Sequence, residues 1–137
     1  MITGSETDRR SQRERMLAGD LYLADDPELA EDARRAMRLM DAFNRLATSD
    51  TAGQARILGQ LLGAVGEESM IRPPFYCDYG ANITLGQRVY FNFNCVVLDV
   101  CPVRIGDCTL FGPAVQIYTA LHPLNAELRR KQEYARP

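Results

Sequence analysis

A six-residue repeat runs from residue 79 to residue 119 and limits what this chain can fold into. One phase of the repeat is entirely aromatic or aliphatic, with Tyr79, Leu85, Phe91, Val97, Ile105, Phe111 and Ile117. A second, mostly apolar row lies two positions earlier, with Cys77, Ile83, Val89, Cys95, Val103, Thr109 and Val115. An α-helix does not fit, because six residues do not return a side chain to the same helical face. Three short strands per turn do fit, so the repeat predicts a parallel β-helix with coils of about eighteen residues.

Two further features of the repeat give local predictions. The position after five of these seven residues holds Gly80, Gly86, Asn92, Gly106 and Gly112, residue types that tolerate a tight or left-handed corner; Leu98 and Tyr118 break the pattern. Cys77 and Cys95 are eighteen residues apart, so we expect them to stack on successive coils at about 4.8 Å. With no Cys-x-x-Cys pair and a single histidine, the four cysteines are interpreted as buried thiols and no metal is expected.

The front half of the chain has helical patterning. Asp26-Pro27 predicts a helix start followed by an apolar stripe at spacings of three and four residues. Thr51 to Gln54 has the form of a capping box before a second stripe. A weaker helix is expected from Ser5 to Ala18, ended by Gly19. The sequence therefore predicts an α+β chain, with a helical domain at residues 1–70 and the first coils of the β-helix at residues 71–137.

Length and charge narrow the classes of partner. At 137 residues the chain fits one domain of ordinary size, and a net charge of −2 gives no field that would gather nucleic acid or an anionic membrane. No apolar run approaches the ~20 residues of a membrane span, and the amino terminus lacks a secretory signal, so a cytoplasmic location is expected. The repeat covers slightly more than two predicted coils, so we expect either a fragment of a longer protein or completion by another chain.

Four segments resemble the hexapeptide-repeat sugar O-acetyltransferases, in particular the maltose acetyltransferase and nodulation-protein-L group. They are Asp78 to Gly86, Asn92 to Cys95, Pro102 to Asp107 and Tyr118 to Leu124. The segment from Met16 to Tyr22 and the helix after Asp26-Pro27 are similar to the helical part that precedes the coil in that group. The resemblance covers nearly the whole chain.

The resemblance implies a left-handed β-helix, although parallel strand connections are right-handed in about 98% of ordinary sheets. It also implies a homotrimer with active sites between neighbouring subunits, and direct acetyl transfer from acetyl-CoA to a sugar hydroxyl. Members of the family continue through more coils, which form the coenzyme A groove. Coenzyme A contact residues are therefore not assigned in this chain.

His122 is the candidate general base. It is the only histidine, and an imidazole can take a proton from an alcohol near neutral pH. Pro123 biases His122 toward an extended backbone and so toward a defined position. The residues alone favour an incidental surface histidine over a catalytic one. The resemblance favours catalysis, since the family's catalytic histidine lies in the same Tyr-Thr-Ala-x-His-Pro context.

Four residues are candidates for binding the acceptor. By resemblance, Asn92 and Asp78 would hydrogen-bond the sugar, although Asn92 also suits a left-handed corner. Asp99 fits either an acceptor contact or a loop cap, with the loop role favoured. Tyr90 fits the acceptor pocket or a subunit contact. Asp25 fits a sugar contact or a helix cap equally well.

Other functions remain open at this level. A non-catalytic β-helix scaffold would give the same repeat and would not bind acetyl-CoA. Transfer to an amine or to serine needs the same general base, and the helical domain favours a sugar by analogy alone. A β-helix carbonic anhydrase is excluded because one histidine cannot supply the three ligands that such a zinc takes.

Overall fold

The computed structural model describes residues 8–131, 133 and 134. Its helices are α1 (Gln12–Ala18), α2 (Pro27–Asn44), α3 (Thr51–Leu61) and α4 (Ala126–Arg130). Its strands are β1 (Tyr22–Leu23), β2 (Ala64–Val65), β3 (Met70–Ile71), β4 (Phe75–Cys77), β5 (Ile83–Leu85), β6 (Tyr90–Phe91), β7 (Cys95–Leu98), β8 (Val103–Ile105), β9 (Leu110–Phe111), β10 (Gln116–Tyr118) and β11 (Glu133–Tyr134).

Strands β2 to β10 form a three-sided parallel coil. The three faces are the sheets β2-β5-β8, β3-β6-β9 and β4-β7-β10, and every pairing within them is parallel. The chain thus completes three turns, each contributing one strand to each face. The predicted parallel coil is present.

The length of one coil differs from the prediction. Paired residues are twenty positions apart, as Phe75 is with Cys95 and Cys77 is with Val97. Cys77 therefore does not stack on Cys95. The eight-residue step between Val97 and Ile105 has a counterpart between Cys77 and Leu85, which adds two residues to the same corner of each coil. Tyr79 lies in that corner, outside the inward-facing row.

Most left-handed corners of the coil are at residues other than the predicted ones. Of the predicted corner residues, Gly80 has a positive φ, at 72°. The other left-handed corners in the described part of the coil are at Glu68, Arg88 and Cys108, and at Asn94 and Ala114. Asn94, not Asn92, is thus the left-handed asparagine. Within each set the residues recur every twenty positions, following the coil.

The helices follow the predicted capping with small changes. Asp26 accepts hydrogen bonds from the backbone N–H groups of Glu28 and Leu29 and starts α2 as predicted, so Asp25 is not the cap. Helix α1 is shorter than predicted, because it starts after a capping box at Ser11; Ser5 to Thr7 lie outside the described residues. Gly19 ends α1 in a left-handed conformation, as predicted.

The N-cap of helix α3 is one residue earlier than the sequence predicted. Asp50 is its N-cap and accepts from the Gly53 N–H, so the predicted capping box at Thr51 is wrong. Gln54 is instead buried, and its amide donates to the backbone carbonyls of Ala47 and Thr48. Gln54 thus fixes the connection between α2 and α3.

Helix α2 covers the first edge of the β4 face. The Asn44 side chain donates to the Phe75 carbonyl at 3.0 Å and accepts from the Phe75 N–H at 2.9 Å. The Cys77 N–H lies 3.1 Å from the Met40 sulfur. These contacts satisfy backbone groups that the first strand of a stack leaves without a neighbouring strand. One hydrophobic core runs without interruption from α2 and α3 into the coil interior.

A smaller apolar cluster holds α1 and β1 against the long corner of the coil. It contains Met16, Tyr22, Leu29 and Val100, with Tyr79 packed against it. Strand β1 also pairs antiparallel with β11. The division into domains at residue 70 stays a prediction; in the structure the first parallel strand starts at Ala64. Across the described ranges, every helix is too short or too polar to cross a membrane.

Candidate active site

The predicted site residues lie at two different corners of the coil. Asp78 follows β4, Asp99 follows β7, and His122 comes four residues after β10, so all three belong to the corner that ends the β4-β7-β10 face. Tyr90 lies on β6, in the β3-β6-β9 face. Asn92 follows β6 and lies at the corner that begins the β4-β7-β10 face. At ~3.3 Å per residue, the seven residues from Asn92 to Asp99 span up to roughly 20 Å.

Asp99 organises its corner. Its side chain is fully buried, and Asp99 Oδ1 accepts from the N–H groups of Asp78 at 3.1 Å and Tyr79 at 2.9 Å. Asp99 Oδ2 accepts from the Asn82 N–H at 3.2 Å, and the Asn82 side-chain amide donates to the Asp99 carbonyl at 2.8 Å. The loop role favoured for Asp99 is therefore present in the structure. Its contact with an acceptor stays a prediction.

Burial perturbs the acids of this corner. Desolvation raises the pKa of Asp99, although its backbone hydrogen bonds oppose that shift. Desolvation, followed by the charge of Asp99, raises the pKa of Asp78 to about 6. Burial also raises the pKa of the neighbouring Cys77 thiol and Tyr79 hydroxyl. A carboxyl that changes charge near neutral pH thus lies at the predicted acceptor site.

His122 is exposed, in the segment between β10 and α4. Thr119, three residues earlier, keeps this segment in register with the coil. Its N–H donates to the Leu98 carbonyl at 3.0 Å, and its hydroxyl donates to the same carbonyl and accepts from the Cys101 N–H. The segment carrying His122 is thereby tied to the loop that begins with Asp99.

Asn92 and Tyr90 lie at the second corner. The Asn92 side-chain oxygen accepts from the Phe93 N–H at 2.8 Å, and the Asn92 N–H donates to the Phe111 carbonyl. Tyr90 Oη lies 3.5 Å from Nη1 of Arg72, whose guanidinium stacks over the Phe93 ring at 4.1 Å. Sequence reasoning missed Arg72 and Phe93. Recognising the twenty-residue period would have placed Arg72 directly below Asn92.

Potential metal ligands do not cluster in the part of the chain that the structure describes. No three histidine, cysteine, aspartate or glutamate side chains there lie close enough together to hold an ion. The four cysteines are free thiols; Cys77 and Cys95 are buried as predicted, whereas Cys101 is half-buried and Cys108 is exposed, so the prediction of burial is wrong for these two. The available groups are carboxylates, an amide, a phenol and one imidazole, which can bind hydroxyl groups and move a proton.

Known proteins resemble this chain in sequence and in fold. Residues 15–66 match the family described as the maltose acetyltransferase hexapeptide capping motif. A maltose O-acetyltransferase from Clostridium difficile 630 has a similar structure, with a TM-score of 0.92 and 36% identity; the match covers 94% of this chain and 69% of that one. The chain belongs to the hexapeptide-repeat acetyltransferases.

Two further proteins are similar to this chain over most of its length. The nodulation protein L of Rhizobium meliloti (strain 1021) is 51% identical over 88% of this chain, which spans 66% of the length of that relative. A galactoside acetyltransferase solved in complex with coenzyme A has a TM-score of 0.87 and 33% identity, over 93% of this chain and 64% of that one. The predicted fold class, a helical segment followed by a partial left-handed parallel β-helix, is confirmed by these likenesses.

Proposed function

We propose that this protein transfers an acetyl group from acetyl-CoA to a hydroxyl of a sugar. The observation that carries the proposal is the close structural match, over 94% of the chain, to a maltose O-acetyltransferase. The complex of a similar galactoside acetyltransferase with coenzyme A supports acetyl-CoA as the donor. The four free cysteines are consistent with a reducing, cytoplasmic compartment.

In this proposal His122 is the general base. Its imidazole accepts the proton of the acceptor hydroxyl while the hydroxyl oxygen attacks the thioester carbonyl. The tetrahedral intermediate, with its oxyanion stabilised by backbone amides, expels the coenzyme A thiolate, and the imidazolium returns the proton to that sulfur. His122 is exposed and lies in a segment anchored by Thr119, which supports access for both substrates.

Asp78, Asn92 and Tyr90 bind the acceptor in this proposal. Asp78 is half-buried and its carboxylate can accept hydrogen bonds from sugar hydroxyls. The carboxylate of Asp99 is occupied by three backbone N–H groups, which supports indirect action through the shape of the Asp78 loop. Asn92 is also half-buried and carries both a donor and an acceptor.

A homotrimer follows from the same proposal. Asn92 precedes β7 and His122 follows β10, so the length of the β4-β7-β10 face separates the two corners, which supports a site completed by two copies. A neighbouring copy that places its Asn92 corner against the His122 corner of the first would complete a site. Three such contacts close a ring with three equivalent sites.

The test is acetyl-CoA-dependent acetylation of maltose by the complete protein and its His122→Ala variant. Loss of a general base lowers kcat by roughly a hundred- to ten-thousand-fold. Leu121→Ala, which changes an exposed neighbour of His122, is the matched control and should keep near-normal activity. Near-normal transfer by His122→Ala would show that the base is assigned wrongly.

Titration of the complete protein with acetyl-CoA tests the scaffold alternative. An acetyltransferase binds acetyl-CoA in the absence of acceptor, whereas a scaffold does not. Absence of binding together with absence of transfer would contradict the proposed function as a whole.

A further inference from the structure

A groove runs between helix α3 and the coil face that carries Tyr90. Its first part is a cavity of about 240 Å³ lined by Thr51, Met70, Arg72, Tyr90 and Phe93, among others. Its second part, of about 180 Å³, shares Thr51 and Met70 with the first and continues past Leu58 and Ser69. From Thr51 to Leu58 the helix rises about 10 Å, so the groove is longer than one sugar ring is wide.

Arg72 is held at the end of this groove nearest Asn92. Its backbone N–H donates to the Phe91 carbonyl, and its guanidinium lies 4.1 Å from the Phe93 ring centroid. Nη1 is 3.5 Å from Tyr90 Oη, a long contact. No carboxylate pairs with Arg72 among residues 8–131. The planar guanidinium of Arg72 therefore lines the groove with most of its N–H donors available.

We propose that this groove is an extended acceptor subsite, in which Arg72 binds the hydroxyl oxygens of a second sugar unit attached to the one that is acetylated. The inference rests on the proposed function and names its substrate class, an oligosaccharide. Tyr90 connects the groove to the corner where Asn92 lies, so an acceptor that reaches Asn92 can continue along α3.

The chemistry of the lining fits a neutral glycan. The Phe93 ring and the Met70 side chain offer apolar surface for a sugar ring, and both are well exposed, at 38% and 40%. The hydroxyl of Thr51 and the guanidinium of Arg72 provide polar contacts. Glu68 lines the far part of the groove, so the groove is not uniformly positive and a strongly anionic occupant is disfavoured.

The test compares acceptors of different length in the complete wild-type protein and in Arg72→Met. Glucose, maltose and maltotriose are the probes, with KM and kcat measured for each at saturating acetyl-CoA. Wild type should have a lower KM for maltose and maltotriose than for glucose. Arg72→Met should raise the maltotriose KM roughly tenfold, the loss typical of one charge-assisted hydrogen bond, and should change the glucose KM and kcat far less.

Two further variants sharpen this result. Arg104→Met removes an exposed arginine from a different face of the coil and should leave all three KM values unchanged. Arg72→Lys keeps the charge but loses the planar fork, and should recover only part of the maltotriose KM. Thermal unfolding of each variant shows whether the fold is intact.

Equal KM values for the three sugars in wild type, or an equal effect of Arg72→Met on glucose and maltotriose, would overturn the subsite and leave the proposed acetyltransferase standing. Absence of transfer to every sugar would instead contradict the proposed function, and the subsite with it.

Discussion

The buried carboxylate of Asp99 should stabilise the fold, because it accepts hydrogen bonds from three backbone N–H groups. Asp99→Ala would leave the N–H groups of Asp78, Tyr79 and Asn82 without their acceptor in a buried corner. At ~1–3 kcal/mol for each unsatisfied buried group, the free energy of unfolding should fall by about 3 kcal/mol or more. Denaturant unfolding of the purified variant measures this change.

Asp107→Ala is the matched control. Asp107 is exposed and accepts one backbone N–H, from Gln87 at 2.8 Å. Its removal should cost well under half as much. If both variants lose the same stability, Asp99 does not organise its corner.

Asp78 should make stability depend on pH. Its pKa is raised from 3.8 to about 6 by burial and by the charge of Asp99, so the folded chain binds this proton more tightly than the unfolded chain. The resulting stabilisation is fully present below pH 3.8 and is lost as the pH rises through about 6. The Tm of wild type minus that of Asp78→Asn should therefore decrease over this range. A difference that stays constant with pH would contradict the burial of the Asp78 carboxyl.

At the level of single residues, the loop role of Asp99 could be predicted from its place beside the two-residue insertion, and its hydrogen bonds to the Asp78 loop agree. The role of His122 was suggested by the resemblance and stays a prediction. The role of Arg72 could not be predicted, because it depends on Phe93 and Tyr90, which approach Arg72 only after the chain has completed another turn. Asn92 was expected at a left-handed corner, but the backbone places that conformation at Asn94, since the corner turns two residues later.

At the scale of elements, the close stacking of corners explains the glycines. Gly66, Gly86 and Gly106 occupy the same corner in successive coils. A Cβ at Gly66 would meet the Gly86 carbonyl and approach the Gln87 backbone nitrogen to 2.6 Å, whereas a Cβ at Gly106 meets nothing within 4 Å. Gly66 and Gly86 therefore allow the next coil to approach closely, and neither has a positive φ.

Gly66→Ala and Gly106→Ala should therefore have opposite effects. Gly66→Ala should lower the free energy of unfolding by about 1–3 kcal/mol because backbone must move to admit the methyl group. Gly106→Ala should raise it by about 0.4–1 kcal/mol through the lower entropy of the unfolded chain. Thermal unfolding of the two variants side by side measures both. Equal effects would mean that the first two coils are not stacked as described.

The repeat predicted the coil but not its length. Periodicity identifies residues that share an inward face, and Leu85, Phe91 and Val97 are buried as expected. The two additional corner residues can be recognised in the sequence between Val97 and Ile105. The same addition between Cys77 and Leu85 cannot, because Tyr79 is aromatic and fits the six-residue phase. Tyr79 instead packs in the cluster with Met16 and Tyr22, a long-range contact that local spacing does not encode.

At the scale of the whole molecule, the proposed homotrimer, with a site shared between subunits, predicts complementation. His122→Ala and Asn92→Ala should each be inactive as homotrimers. Co-expressed, they should form mixed trimers in which some sites receive intact His122 from one copy and intact Asn92 from another, and acetyltransferase activity should return. Measurement of kcat on co-purified, differently tagged subunits tests this; persistent inactivity of verified mixed trimers would place both residues in one subunit's site.

Acetyl transfer itself is the most direct test of this account. The complete protein, incubated with acetyl-CoA and maltose, should produce free coenzyme A and O-acetylated sugar in equal amounts, quantified by thiol release and by mass spectrometry of the sugar. Release of coenzyme A without an acetylated sugar, or no release at all across glucose, maltose and maltotriose, would contradict it.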